Sequence, residues 1–224
     1  MLLRYIKKMS LIIILLLSFG IFQVFLTYHI PVTHYGQAQS RTPITIPSLK
    51  QWNAGAGAGS YTFSRSSHIV LDPTFVKQLT TTAAVFSKDL HALTGLSIPA
   101  VTGSSKSGDI YLSLNAHDKS LGSEGYLLTI ADRVTISAQE DAGVFYGTRT
   151  ILQLLKQSHT IPEGIARDRP DYPERGLMVD VGRKYYSVPW LENHIRDLAY
   201  LKMNYLHLHF SDNLGFRLQS SSHP

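Results

Sequence analysis

Residues 174–213 read ERGLMVDVGRKYYSVPWLENHIRDLAYLKMNYLHLHFSDN. The run at 176–181 is apolar enough for a strand that is buried on both sides. Ser187 can cap a helix that has Pro189 in its first turn. The run at 205–210 is a second short strand, so this segment predicts a βαβ unit with two parallel, neighbouring strands.

Upstream of this unit the sequence predicts an α/β series. Apolar residues recur at helical spacing in 74–93 and 142–155. Short alternating runs predict strands at 61–63, 68–71, 109–114, 126–130 and 134–138, the last two as a hairpin. Two helices can then cover one face of a mostly antiparallel sheet, so we expect an α+β supporting domain over residues 39–160. No constellation of acids, bases or ligands stands out in it.

Residues 161–175 are rich in proline and charge and predict a linker between this domain and the βαβ unit. One βαβ unit cannot bury both faces of its strands. We therefore expect the sequence to be the front part of something larger, or a chain that was cut short.

The composition excludes several classes of function. The chain has 224 residues, no cysteine and a formal charge of +5. The missing cysteines exclude disulfide scaffolds, thiolate zinc sites, iron–sulfur clusters and cysteine nucleophiles. Arg4, Lys7 and Lys8 supply three of the 21 basic residues, which leaves 18 against 16 acidic ones, or +2. This near-neutral remainder does not favour a nucleic-acid partner.

The first 38 residues predict an export signal. Arg4, Lys7 and Lys8 precede an apolar run from Leu11 to Leu26, which is the pattern of a secretory signal. The small residues of Gly36-Gln37-Ala38 allow cleavage after Ala38, whereas extension of the apolar run through Ile30 allows a retained membrane anchor. In either case we expect the rest of the chain to work outside the cell or on the outer face of the membrane.

Two strings within the opening segment, 174–186 and 201–213, resemble the start of the catalytic barrel in glycoside hydrolase family 20, the β-N-acetylhexosaminidases. Glu124-Gly125-Tyr126 and the string GVFYG at 143–147 are similar to that family's N-terminal domain. The resemblance covers about 43–224. It implies an α/β chain in which residues 176–224 are the incomplete start of a (β/α)8 TIM barrel.

The resemblance also implies a sugar-binding site. The family's substrate-binding arginine falls on Arg183, and an aspartate that assists it falls on Asp212. Both follow the carboxyl ends of neighbouring strands, where barrel active sites lie. Arg175 matches an arginine that we interpret as structural. Asn213 replaces a second aspartate of the family pattern, which removes a charge but keeps an acceptor.

The implied activity is removal of terminal N-acetylglucosamine or N-acetylgalactosamine. In this family an adjacent Asp-Glu pair after the fourth barrel strand protonates the glycosidic oxygen and orients the substrate's acetamido group, which attacks the anomeric carbon. The sequence contains no Asp-Glu dipeptide, and Glu140-Asp141 has the reverse order. We therefore expect no catalytic residue here and an inactive chain. The resemblance implies no metal and no organic cofactor, since the substrate supplies the nucleophile. It leaves the oligomeric state open.

Two other functions remain open. The chain could be an exported or membrane-tethered, non-catalytic module that binds amino sugars. It could also belong to a different barrel glycosidase that shares this opening.

Several residues also have alternative interpretations. Arg183 could be a surface arginine paired with Asp180 or Glu192, and Asp212 a turn residue at a strand end. His207 and His209 have the spacing of metal ligands, but a hydrogen-bonded barrel interior is favoured because two histidines make an incomplete ligand set. The string YY at 185–186 could stack on a sugar or pack the turn, and we favour packing.

Overall fold

The structure is a computed structural model that describes residues 42–55, 59–219 and 221–222. Its strands are β1 (Gln51–Ala54), β2 (Ser60–Thr62), β3 (Ile69–Leu71), β4 (Ala100–Thr102), β5 (Ile110–Ser113), β6 (Tyr126–Ile130), β7 (Val134–Ala138), β8 (Thr160–Pro162), β9 (Gly164–Asp168), β10 (Gly176–Asp180) and β11 (Tyr205–His209). Its α-helices are α1 (Val76–Thr94), α2 (Asp141–Leu155) and α3 (Val188–Tyr200).

A mixed sheet organises the region before residue 169. Its strand order is β1-β9-β6-β7-β5-β3-β4. The pairs β1–β9, β9–β6 and β6–β7 are antiparallel, whereas β7–β5, β5–β3 and β3–β4 are parallel. The predicted hairpin is β6–β7, and both predicted helices are present as α1 and α2. Since half of the pairs are parallel, the sheet is less antiparallel than the sequence predicted.

Helices α1 and α2 pack on this sheet and on each other. Alternate residues of β6 and β7 are buried, while the residues between them are only half-buried. Phe86 and Leu90 of α1 and Ile151 of α2 are fully buried in the core that this packing creates. The alternating pattern of the strands and the helical spacing of apolar residues therefore predicted these core positions correctly.

The predicted linker at 161–175 is wrong for its first half. The structure places β8 and β9 there, and β9 lies between β1 and β6 inside the sheet. Ile161 and Ala166 are fully buried. Of the prolines and charges that suggested a linker, Pro162, Arg167 and Asp168 lie within β8 and β9, and only those at 169–173 follow the strand.

The βαβ unit forms as predicted. Strands β10 and β11 are parallel, with Gly176 opposite Tyr205. The Ser187 side chain accepts a hydrogen bond from the Trp190 N–H at 3.4 Å and so caps α3. Burial differs from the prediction, because only part of β10 is covered: Val179 is buried, but Met178 is 57% exposed.

Among the described residues, no helix combines the length and apolar character that a membrane crossing requires. The predicted export segment, with its apolar run from Leu11 to Leu26, lies outside the described residues.

Candidate functional site

The candidate site lies where β10 and β11 end side by side. Asp180 at the end of β10 is in register with His209 at the end of β11. Arg183 and Asp212 each follow their strand by three residues. Because the two strands are parallel, these polar side chains emerge at the same edge of the sheet.

Arg183 and Asp212 are in direct contact. The Nε atom of Arg183 donates a hydrogen bond to Oδ2 of Asp212 at 3.1 Å. Asp180 also contacts the arginine: its Oδ1 accepts the Arg183 backbone N–H at 3.1 Å, and its Oδ2 lies 3.5 Å from Nε. The arginine side chain is 63% exposed. Two carboxylates therefore fix the base of the guanidinium while its outer end reaches solvent.

Asp212 is also the organising residue of a turn. Its Oδ1 accepts the backbone N–H groups of Leu214 at 2.7 Å and Gly215 at 3.1 Å. The N–H of Leu214, aided by the Arg183 guanidinium, lowers the pKa of the Asp212 carboxyl below its ordinary value. The turn interpretation and the site interpretation thus describe the same side chain.

A cation does not fit this cluster. Ligand atoms of Asp180, His209 and Asp212 lie within 4.8 Å of one another, the spacing of a small metal site. Asp212 is already engaged by two backbone donors and by Arg183, and His209 Nε2 lies 3.5 Å from its Oδ2. The positive guanidinium beside these oxygens opposes a second cation. His207 lies outside the cluster and is exposed in the part of the chain that the structure describes.

The other sequence candidates lie apart from this pair. Among the described contacts, Glu192 pairs with Arg196 at 3.9 Å and not with Arg183. Tyr186 stacks on Trp190 with ring centroids 4.2 Å apart, as expected for packing, whereas Tyr185 is 74% exposed.

Arg175 lies at the opposite end of β10. Its Nη1 is 2.8 Å from Glu124 Oε2, and its Nε donates to the Lys202 carbonyl at 2.9 Å. These contacts agree with its interpretation as a structural residue. They also bring Glu124-Gly125-Tyr126 next to the segment that begins at Arg175.

Sequence reasoning missed Lys202, which is buried between the sheet and the βαβ unit. Its ammonium is 2.9 Å from Asp168 Oδ2. The available sequence signal was a lysine after the cap residue of a helix, where glycine is the common residue. That signal does not indicate burial, because lysine is almost always exposed.

Comparison with known families divides the chain in two. Residues 42–169 match glycosyl hydrolase family 20, domain 2, and residues 172–224 match the glycosyl hydrolase family 20 catalytic domain. The first match covers more than half of the chain, and the second contains both Arg183 and Asp212.

Two curated proteins illustrate the similarity. A lacto-N-biosidase of Bifidobacterium bifidum is 34% identical over 73% of this chain, and a β-hexosaminidase of Akkermansia muciniphila is 38% identical over 46% of it. The chain spans only 14% and 22% of the lengths of these two relatives.

The fold is similar to solved structures. A mutant Streptomyces plicatus β-hexosaminidase in complex with the product GlcNAc has a TM-score of 0.69 at 30% identity, with 77% of this chain and 35% of that chain covered. A Streptomyces coelicolor β-N-acetylhexosaminidase has a TM-score of 0.69 at 29% identity, with 81% and 38% covered.

Proposed function

The chain belongs to glycosyl hydrolase family 20, and on this basis we propose that it is part of a β-N-acetylhexosaminidase that removes terminal N-acetylglucosamine or N-acetylgalactosamine. The observation that carries the proposal is the 3.1 Å contact between Arg183 and Asp212 at the carboxyl ends of adjacent parallel strands.

This arrangement suits recognition of a sugar ring. A guanidinium presents several N–H donors in a fixed plane, and a carboxylate only accepts. Since Asp180 and Asp212 fix the base of the Arg183 fork, its outer nitrogens meet sugar hydroxyls with little further loss of side-chain freedom. In the proposal Arg183 binds the sugar, and Asp212 orients Arg183 and accepts from a hydroxyl.

The proposed reaction is the substrate-assisted hydrolysis described above, with its Asp-Glu pair supplied by later parts of the catalytic domain. We propose no acid or base role for the residues of this chain. They bind and orient the sugar ring, so this chain alone does not hydrolyse glycosides.

The exposed apolar positions of the βαβ unit support a larger barrel. Leu177, Met178 and Tyr205 are 40%, 57% and 55% exposed, although they lie on the paired strands β10 and β11. Additional strands and helices of a (β/α)8 barrel would cover them. The proposed location is outside the cell or on the outer face of the membrane, reached through a signal or anchor at 1–38.

Lacto-N-biosidase activity is the second candidate. The Bifidobacterium bifidum protein that matches 73% of this chain carries that name. The two candidates differ in the sugar unit released, and the choice depends on residues beyond Arg183 and Asp212.

A chimeric enzyme tests the proposal. Residues 42–219 would replace the corresponding part of the Streptomyces plicatus β-hexosaminidase, which keeps the remainder of its own catalytic domain. We expect hydrolysis of an aryl N-acetyl-β-glucosaminide, and none of the aryl β-glucoside that lacks the acetamido group. An aryl lacto-N-bioside assays the second candidate.

The control is residues 42–219 alone, which should release no aryl alcohol above the uncatalysed rate. A chimera that folds, as shown by circular dichroism, but hydrolyses neither the aryl N-acetyl-β-glucosaminide nor the aryl lacto-N-bioside contradicts the proposal, and so does a chimera that hydrolyses the aryl β-glucoside. Hydrolysis by residues 42–219 alone would contradict the assignment of the chemistry to later parts of the catalytic domain.

A further inference from the structure

A buried polar cluster joins the βαβ unit to the upstream sheet. We call it the Lys202 cluster, and it consists of Lys202, Asp168, Tyr126 and Thr150. The Lys202 ammonium, whose side chain is 8% exposed, donates to Asp168 Oδ2 at 2.9 Å and to the Tyr126 hydroxyl at 2.8 Å. The Tyr126 hydroxyl donates to the same Asp168 oxygen at 2.7 Å and lies 2.6 Å from Thr150 Oγ1.

The members of the cluster come from both regions of the chain. Tyr126 and Asp168 face each other across β6 and β9 of the seven-stranded sheet. Lys202 follows α3 and precedes β11, so it belongs to the βαβ unit. The ammonium therefore links two regions that match different domain families.

The backbone at Lys202 indicates that its side chain is needed there. Lys202 has φ of 58°, a left-handed conformation at the residue that follows Leu201, the cap of α3. Glycine adopts this conformation without steric cost, and a lysine does not. Burial also lowers the pKa of the ammonium, an effect that Asp168 opposes. A glycine at this position would avoid both the backbone strain and the burial of a charge.

A second set of contacts reaches the same face of the βαβ unit. Glu124, just before β6, lies 2.8 Å from Arg175 Nη1 and accepts from Asn204 Nδ2 at 3.0 Å. Asn204 Oδ1 in turn accepts the Arg175 backbone N–H at 2.8 Å. Arg175 and Asn204 immediately precede β10 and β11. The contacts with Glu124 therefore hold the beginning of both strands against the upstream domain.

Buried charge pairs contribute little net stability, but they disfavour every arrangement that leaves one partner unpaired. We propose that the upstream domain is the assembly platform of the βαβ unit: the Lys202 cluster and Glu124 fix the start of both strands, and thereby bring Arg183 and Asp212 together without the rest of a barrel. This gives the upstream domain a function of its own, which is independent of sugar chemistry.

Hydrogen exchange measured on this chain tests the proposal. In Lys202→Met, a side chain of similar length leaves Asp168 without its cation. Because removing one partner of a buried ion pair is strongly destabilising, we expect amide exchange in β10, α3 and β11 to accelerate at least about tenfold. Exchange in β6 and β7 should stay at the parental rate.

Lys77→Met is the matched control, because it removes the same charge from an exposed position on α1. It should leave exchange in the βαβ unit unchanged. Glu124→Gln is the second variant, since it weakens the other contact at the partly exposed edge of the interface. It should accelerate exchange in the same three elements, and it therefore keeps the test available if Lys202→Met fails to fold.

Two results would overturn the proposal. One is parental exchange in β10, α3 and β11 in both interface variants. The other is an equal acceleration in the upstream sheet and the βαβ unit in Glu124→Gln, which would show a general loss of stability and no role in assembly. Neither result depends on whether the chain binds a sugar.

Discussion

Asp212 shows how one side chain serves both the local fold and the site. One carboxylate oxygen accepts two backbone N–H groups of the turn that follows β11, and the other accepts Arg183 Nε. The turn fixes the carboxylate, and the carboxylate fixes the guanidinium. A substitution at Asp212 should therefore displace Arg183 even if the strands remain intact.

The first prediction concerns the titration of Asp212. We expect its carboxyl to titrate below its ordinary pKa of 3.8, because the Leu214 N–H and the Arg183 guanidinium favour the ionised form. The stabilisation of the fold by the ionised Asp212 carboxylate is fully present above pH 3.8. It is lost as the pH falls through the lowered pKa of the folded state. Carboxyl carbon shifts in an NMR pH titration measure it.

Arg183→Gln is the companion variant for this titration. It should raise the Asp212 pKa only part of the way toward 3.8, because the Leu214 N–H remains. A parental midpoint at or above 3.8 would show that the donors do not stabilise the ionised carboxylate.

At this scale the sequence was informative about Arg183 and Asp212 and silent about Lys202. The resemblance implied the site role of the first two, and the ends of predicted parallel strands place them close together. Lys202 meets Asp168 only through packing between distant segments, 34 residues apart in the chain. No local pattern predicts that encounter.

Helix α2 shows how glycine spacing sets the distance between a helix and a sheet. A Cβ atom on Gly147 would lie 2.5 Å from Ile136 Cγ2 and 3.2 Å from the Tyr126 ring. At Gly143 it would collide with the Gly125 carbonyl oxygen. These close approaches give a physical reason for the glycines in the string at 143–147.

The second prediction follows from that contact. Gly147→Ala should destabilise the chain by about 1–3 kcal/mol, because the added methyl group overpacks the core. Urea unfolding measures the change in the free energy of unfolding. Stabilisation of the chain by Gly147→Ala would contradict the close approach of α2 to β7.

The control is Ala84→Gly, at an exposed position of α1. Helix propensity alone predicts a loss of about 1 kcal/mol for this change, since alanine is the better helix former. The same preference would make Gly147→Ala stabilising in the absence of a clash. Together the two variants separate packing from propensity.

The sequence analysis missed strands where proline and charge content suggested a linker, or where no alternating apolar pattern was present. Residues 164–168 form a strand inside the sheet, but the prolines and charges within residues 162–173 favoured a linker. The short edge strand at 100–102, which is exposed throughout, has no buried face to produce an alternating pattern. The long helices and the hairpin were predicted because their apolar periodicity extends over more residues.

At the scale of the whole molecule, the two family matches meet at a continuous interface. Lys202, Arg175 and Asn204 of the second region contact Asp168, Tyr126 and Glu124 of the first. The sequence predicted two regions and their order. It did not predict that the segment between them includes a strand of the first region, because that assignment depends on pairing with β1 and β6.

The most direct test of the account is kcat/KM of the chimeric enzyme with and without the Arg183 guanidinium. We expect Arg183→Gln to lower kcat/KM for an aryl N-acetyl-β-glucosaminide by about 10- to 100-fold, the loss typical of a charge-assisted hydrogen bond. Arg196→Gln, which removes an exposed arginine from α3, should retain the parental value. Equal kcat/KM values for Arg183→Gln and the parent would contradict the assignment of Arg183 to the sugar site.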